Sequence, residues 1–394
     1  MPFESIIITG PSCAGKTTIA QKLSEVFRED NQRFEVVRAV TTRERREDDS
    51  NYEYLDDDTF ESLLSKEKLL ISSSYRNKKY GIRKTEYEKI IERKCIPVLV
   101  ITASSACELL DGTGQEKFMS FFLDAPNDIL YDRWLERRKG SSNKMEEQAF
   151  RKQNETDRTF QSEAHYVISN TDVNATVSLI TMLWDRKDQG GALSKKIIKS
   201  MIDCGVLLKN TDPEMIKGAS YDLRLGDEYH YDGEVRKLSD AKPFLTIEPY
   251  DYAIVSCKET AWLPRDVIAK FGLTVGLFCQ GIILSNGPQI DPGFHGTLFC
   301  LLFNTSNRPV HLKRGKHYAT IEFVKTIGYA DPYKGKYQEK ESIIEYIPAN
   351  ALHGAINELK KEVEQLKQEN RTMQNIYLGV VALMFAIISI LLVL

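Results

Sequence analysis

The chain has 394 residues, too many for one ordinary core, so two globular domains with additional segments are the natural expectation. Its 42% hydrophobic and 28% charged residues suit a folded protein, and a net charge of -3 argues against a dedicated nucleic-acid binder, which would be distinctly basic. Seven scattered cysteines with no C-x-x-C pair suit a reducing compartment, where thiols serve as small core residues.

In chain order, Ser5–Thr9 is an apolar run that predicts a buried strand, and because it leads straight into glycines it does not read as a signal peptide. Gly10-Pro-Ser-Cys-Ala-Gly15-Lys16-Thr17 then fits G-x-x-x-x-G-K-[ST] at every position, ahead of a helix predicted over Lys16–Phe27. Strand, glycine loop and helix in this order make a P-loop. The segment Gly10, Ser12, Ala14, Gly15, Lys16, Thr17 and Thr18 would wrap a triphosphate, with Lys16 on its β/γ oxygens and the Thr17 hydroxyl on Mg²⁺.

Further strands are expected at Phe34–Ala39, Pro97–Thr102, Phe118–Leu123 and His165–Asn170, with helices over Thr59–Lys66 and Ile129–Arg138 and a last helix reaching Trp184. This alternation predicts an α/β domain, a parallel sheet with helices on both faces, over residues 1–187.

The run IIITGPSCAGKTTIAQKL, then AVTTRERR at Ala39–Arg46, NYEYL at Asn51–Leu55, KKYGI at Lys78–Ile82, and later LDAPNDILYDRWLERR and HYVISNTD, resembles guanylate kinase from Phe3 to about Asp185. The resemblance implies ATP-dependent, Mg²⁺-assisted phosphoryl transfer to a monophosphate. Arg43, Arg46, Tyr52 and Tyr80 would hold the acceptor phosphate, while Lys16, Arg133 and Arg137 would act on the transferring group. Positioned cations suffice for such a reaction, since charge spreads over the moving phosphoryl oxygens. Departures from the family pattern stand at the base site. Ile71 and Ile82 occupy the positions of its guanine-reading acid and hydroxyl, one strand ends at Thr102 rather than an aspartate, and a third lid arginine could be Arg151, at a stretched spacing. The acceptor is therefore left open between another nucleotide and a sugar phosphate, as in the related ribose-bisphosphate phosphokinases.

The polar stretch Asp185–Gly191 marks a boundary, with a linker placed at 188–193. From 194 to 327 short β-rich runs, among them Ala253–Cys257, Gly281–Leu284, Thr297–Phe303 and Thr320–Phe323, are separated by Pro, Gly, Asn and Asp, as in a small all-β barrel or sandwich. ASYDLRLG at Ala219–Gly226, QIDPGFHG at Gln289–Gly296, Asn304 and Leu312–Gly315 resemble the dCTP deaminase and dUTPase superfamily. That resemblance implies a dUTPase-like barrel, assembly as a homotrimer, and nucleotide sites between subunits. Asp291 would lie beside the deoxyribose and attacking water, and Asp222 would be structural. The stretch Gly272–Ile282, where that family binds phosphates, offers only Thr274 and Gln280, and Leu301 replaces the glutamate that shuttles protons. The domain thus reads as non-catalytic, with Asp291 and Gln280 as candidates for retained nucleotide binding. The six histidines show no metal-ligand spacing, and His311 and His317 flank a turn at Gly315.

After a linker at 328–351, Ile356, Leu359, Val363, Leu366, Asn370 and Met373 fall at heptad a and d positions, predicting a short coiled coil over 352–375. Residues 376–394 carry no charge, and at 1.5 Å per residue this helix spans about 28 Å, roughly a bilayer core. Lys360, Lys361, Lys367 and Arg371 all precede it, so the reading is a single-pass tail anchor with the soluble domains in the cytoplasm. Two functions are compatible with this layout: a membrane-tethered nucleotide-metabolism phosphotransferase, or a tethered nucleotide sensor or effector without turnover.

Overall fold

The computed structural model describes residues 3–27, 32–45, 51–75, 77–113, 117–138, 143–287, 289–347 and 355–393. Its first half runs β1 (Ser5–Thr9), α1 (Lys16–Ser24), β2 (Phe34–Val36), β3 (Ala39–Thr41), β4 (Tyr52–Tyr54), α2 (Asp57–Ser65), β5 (Leu69–Tyr75), β6 (Lys78–Arg83), α3 (Lys84–Glu92) and β7 (Ile96–Val100). It continues with α4 (Ala103–Thr113), β8 (Phe118–Asp124), α5 (Asn127–Arg137), α6 (Lys144–Arg158), β9 (Tyr166–Ser169) and α7 (Val173–Asp185).

Five strands form the expected parallel sheet in the order β2-β7-β1-β8-β9. Helices cover both faces, which is why β1 is buried at every residue and β8 at all but its last. The single strand expected at Phe34–Ala39 is divided. Phe34–Val36 stays in the parallel sheet, whereas Ala39 pairs with Tyr52 and Ile82 and opens a smaller sheet, β4-β3-β6-β5. Continuous hydrophobicity hides such a break, because both halves are buried. α6 starts at a capping box in which Asn143 and Glu146 satisfy each other's backbone N–H groups.

The second half is antiparallel. It comprises β10 (Gly191–Ala192), α8 (Lys195–Asp203), β11 (Leu207–Lys209), β12 (Ser220–Tyr231), β13 (Glu234–Lys237), β14 (Phe244–Ile247), β15 (Tyr252–Trp262), β16 (Val267–Leu273) and α9 (Val275–Cys279). β17 (Ile282–Ser285), β18 (His295–Asn304), β19 (Val310–Lys313) and β20 (His317–Lys325) complete it. The main path is β10-β20-β12-β15-β18-β17, and register shifts in the β12–β15, β12–β20 and β15–β18 pairings curl the sheet.

Two stretches read as linkers are structured. Gly191 and Ala192 pair with Lys325 and Val324 at the sheet edge. Within 328–347, Ile343 is fully buried, Thr297 donates its N–H to Lys340 O at 2.9 Å, and Gln338 Nε2 donates to Gly293 O at 2.8 Å. The second stretch is held largely by backbone-directed hydrogen bonds, which leave no hydrophobic period in the sequence.

The two halves share one hydrophobic core that runs from Ile6 and Ile8 through Tyr166 and Trp184 to Ile198, Met201 and Val206. Edge strand β9 is the seam. Ser169 N–H donates to Cys204 O at 2.8 Å, Arg265 N–H donates to His165 O at 3.3 Å, and the Tyr166 hydroxyl donates to Asp266. Finally, α10 (Ala355–Val393) is one continuous helix that joins the predicted coiled-coil segment to the apolar tail. Leu352 lies outside the described residues. Residues 362–389 form a helix long and apolar enough to cross a membrane, and Val363, Leu366 and Met373 are exposed along it.

Candidate active site

The loop between β1 and α1 needs glycine for steric reasons. Gly10 has φ +132°, and a Cβ there would lie 2.0 Å from Leu123 O; Gly15 has φ +89°, and its Cβ would meet Asn170 Nδ2 at 2.5 Å. Cys13 holds φ 67° without being glycine, a left-handed residue of the kind that clusters at binding loops. Lys16 folds over the loop and donates from Nζ to Gly10 O at 2.8 Å and Pro11 O at 2.7 Å. Burial pulls its ammonium down to about 8, aided by the charge of Arg137 and opposed by Asp157 and Cys13.

Three elements fasten this loop. At the end of β9, buried Asn170 donates its side-chain amide to Ala14 O at 2.7 Å and accepts the Thr176 hydroxyl at 2.9 Å. On α5, Arg133 donates to Asn170 O at 3.0 Å and to Cys13 O at 3.4 Å. From α6, Asn154 Oδ1 accepts the Ser12 N–H at 3.0 Å, and Asp157 on the next turn faces Lys16 electrostatically. Arg158 anchors the end of α6 by gripping both oxygens of Asp124, at 2.8 and 2.9 Å. Arg133 thus reaches the P-loop through Cys13 O, and Arg137, four residues further along the same helix, bears on Lys16 through its charge. Arg151 pairs instead with Glu147 at 2.9 Å and lies over the Tyr131 ring.

The small sheet carries the residues expected to hold an acceptor. Register places Tyr54, Thr41, Tyr80 and Ser73 in one row and Tyr52, Ala39, Ile82 and Ile71 in the next. Residues two apart share a face, so all eight lie on one side. There the Arg43 guanidinium stands 4.7 Å over the Tyr52 ring and 5.9 Å over Tyr54, while Tyr52 and Tyr80 meet edge-on with centroids 6.3 Å apart. Arg43, Tyr52 and Tyr80 are therefore together; Arg46 lies outside the described residues. Ile71 and Ile82 are 7% and 1% exposed and pack with Ile7 and Val37. The polar groups beside them are hydroxyls: Thr102 Oγ1 donates to Ser73 Oγ at 3.5 Å and lies 2.8 Å from Ser105 Oγ.

In the second half, Asp291 and Gln280 each make local contacts. Gln280 turns its amide back to Gly276 O at 3.1 Å, Asp291 sits in the turn before Phe294, and no contact between them is seen among the described residues. α9 occupies the stretch where the resemblance implies phosphate donors, and it exposes Val275 and Phe278, at 77% and 70%. The motif ASYDLRLG has a structural use. Glu259, at 0% exposure, accepts the Tyr221 hydroxyl at 3.0 Å, Arg224 N–H at 2.9 Å and Arg224 Nε at 2.6 Å. Asp222 pairs with Lys217 at 3.5 Å. Among the described residues no cluster of three or more His, Cys, Asp or Glu side chains is placed to hold a metal ion.

Tyr54, Asn154, Asp157 and Asn170 are not among the candidates read from the sequence, yet they stand beside those candidates in the fold. Asn170 was within reach, since a polar side chain directly after a buried strand sits at the carboxyl edge where ligands bind. Asn154 and Asp157 gave only a polar i, i+3 pair on a very polar helix.

A guanylate kinase family model matches residues 3–186, and a dCTP deaminase-like model matches residues 192–326. The dCTP deaminase of Thermococcus kodakarensis is 37% identical over 134 residues, which is 34% of this chain and 85% of that protein. The enzyme of the same name from Pyrococcus furiosus is 34% identical over 134 residues, again 34% and 85%. Among solved structures, a guanylate kinase from Anaplasma phagocytophilum aligns at 19% identity and a TM-score of 0.37, covering 48% of this chain and 87% of that one.

Proposed function

From a chain that belongs to the dCTP deaminase-like family through residues 192–326 and carries a guanylate kinase domain over residues 3–186, we propose a membrane-tethered phosphotransferase of nucleotide metabolism. The P-loop domain would move the γ-phosphoryl group of ATP onto a phosphate-bearing acceptor. The observation that carries this reading is the pairing of two cationic sites: Lys16 with Arg133 and Arg137 around the glycine loop, and Arg43 over Tyr52 in the small sheet.

The roles follow from charge and position. Mg²⁺ bound with ATP would neutralise the β- and γ-oxygens, with the Thr17 hydroxyl at the start of α1 as its protein ligand. Lys16 would leave the carbonyls of Gly10 and Pro11 for phosphate oxygens, and Arg133 and Arg137 would balance charge on the group in transit. Arg43, Tyr52 and Tyr80 would orient the acceptor phosphate, with Arg46 on the same segment. Ile71 and Ile82 stand where an acid and a hydroxyl would read guanine, which favours a nucleotide other than GMP, or a sugar phosphate, as the acceptor.

The deaminase-like domain would serve as a platform and trimer former, with Asp291 and Gln280 meeting nucleotide only across subunits. Its lack of a proton-shuttling acid at Leu301 favours this over deamination. The tail from 376 onwards would anchor the assembly with its soluble domains in the cytoplasm. The test is an ATP assay against a panel of nucleoside monophosphates, deoxy forms and phosphorylated riboses. One acceptor should gain a phosphate in the full-length protein and none in Lys16→Ala. A second reading, a tethered sensor without turnover, is favoured by the shared core at β9 and would give nucleotide binding by calorimetry with no product.

A further inference from the structure

We propose that α6 is an internal competitor for the phosphate cradle, with Asn154 and Asp157 standing in for phosphate oxygens at Ser12 and Lys16. The inference rests on the reading of Gly10–Thr18 as a triphosphate site. Three observations carry it. Asn154 is 3% exposed, so its amide is committed to the interior, and its Oδ1 accepts the Ser12 N–H at 3.0 Å. Asp157, one turn on and 7% exposed, is oriented by Gln153 at 3.1 Å and is the leading favourable charge on Lys16. Both residues lie on one face of a helix whose end is clamped to the rim of the same site by Arg158 on Asp124.

An acceptor oxygen on a loop N–H and an anion facing the loop lysine are the two features a bound phosphate would supply. Here the protein supplies them from its own chain. A triphosphate that uses the Ser12 N–H must displace Asn154, and its charge must replace or repel Asp157. Binding is therefore coupled to movement of α6. Because Arg158 grips Asp124, and Asp124 lies close enough to the second domain's Lys209 to favour that residue's charge, the movement would also be felt across the seam.

Two substitutions at one position separate this from a folding defect. In the full-length protein in detergent, Asn154→Ala removes the competing oxygen and should tighten binding of a non-hydrolysable ATP analogue by about three- to tenfold, the worth of one hydrogen bond. Asn154→Asp keeps the acceptor, adds a charge, and should weaken binding by at least as much. Opposite shifts support the latch, whereas damage to the fold would weaken both. If the wild type binds the analogue, loses it in Lys16→Ala, and Asn154→Ala binds no tighter, the latch is overturned while the P-loop reading stands. If neither the wild type nor Asn154→Ala binds the analogue, both fall.

Discussion

Asn170 donates its side-chain amide to Ala14 O at 2.7 Å, so the last strand of the parallel sheet is tied directly into the P-loop. The residue before it, Ser169, donates its N–H to Cys204 of the second domain, and the loop is thereby braced from across the seam. Asn170→Ala leaves Ala14 O without this donor and the Thr176 hydroxyl without its acceptor. Leaving buried polar groups unpaired costs about 1–3 kcal/mol, so ATP-analogue affinity should fall roughly 5- to 150-fold. Titration of a fluorescent analogue, alongside the melting temperature, checks it.

The lysine of the loop gives binding a pH limit. Burial lowers Lys16 to about 8, so the ammonium is intact at neutral pH and is lost above that value in the free protein. Phosphate charge favours the ammonium, so its pKa rises on binding. Affinity should accordingly be level below pH 8 and fall by up to about tenfold per unit above it. Calorimetry from pH 6.5 to 9.5 measures this, and in Lys16→Arg the decline should vanish.

The seam holds the second titrating group. Burial raises Asp266 from 3.8 to about 6, against the pull of Lys325 at 3.6 Å and the Tyr166 hydroxyl, while burial also lowers Lys325. For both partners, then, burial outweighs the attraction of the pair. A raised carboxyl pKa means the folded state binds the proton more tightly. Its stabilising share is full below about pH 4 and is lost as pH rises through 6. The difference in melting temperature between the wild type and Asp266→Asn should shift against the wild type across that window and level off above it.

Much of this was legible in the sequence for reasons that are local. The P-loop needs glycine where φ is positive and a Cβ would strike Leu123 or Asn170, so its motif is written in the chain. The central parallel strands β1, β7 and β8 are buried on both faces and read as apolar runs. The seam was not legible. Tyr166, Asp266, Lys325 and Tyr329 come together from distant segments, and each alone looks like an ordinary strand or loop residue. The latch was hidden for the same reason, since Asn154 and Ser12 meet only once α6 is folded back over the loop.

The tail makes a simple prediction. Deleting 376–394 removes the uncharged part of α10 while leaving the seam and both domains untouched. The truncated protein should move from the membrane pellet to the soluble fraction and keep its phosphoryl-transfer rate. Membrane association that survives the deletion would place the anchor elsewhere.

The central claim is transfer of a phosphoryl group through the Lys16 and Arg133 site. It is tested most directly by single-turnover transfer from γ-labelled ATP with the best acceptor, comparing the wild type with Lys16→Ala and Arg133→Ala. The account predicts labelled product from the wild type and a loss of about a hundredfold or more in each variant, the usual scale for removing a charge-stabilising donor. ATP binding with no labelled product from any acceptor, or transfer that survives both substitutions, would contradict it.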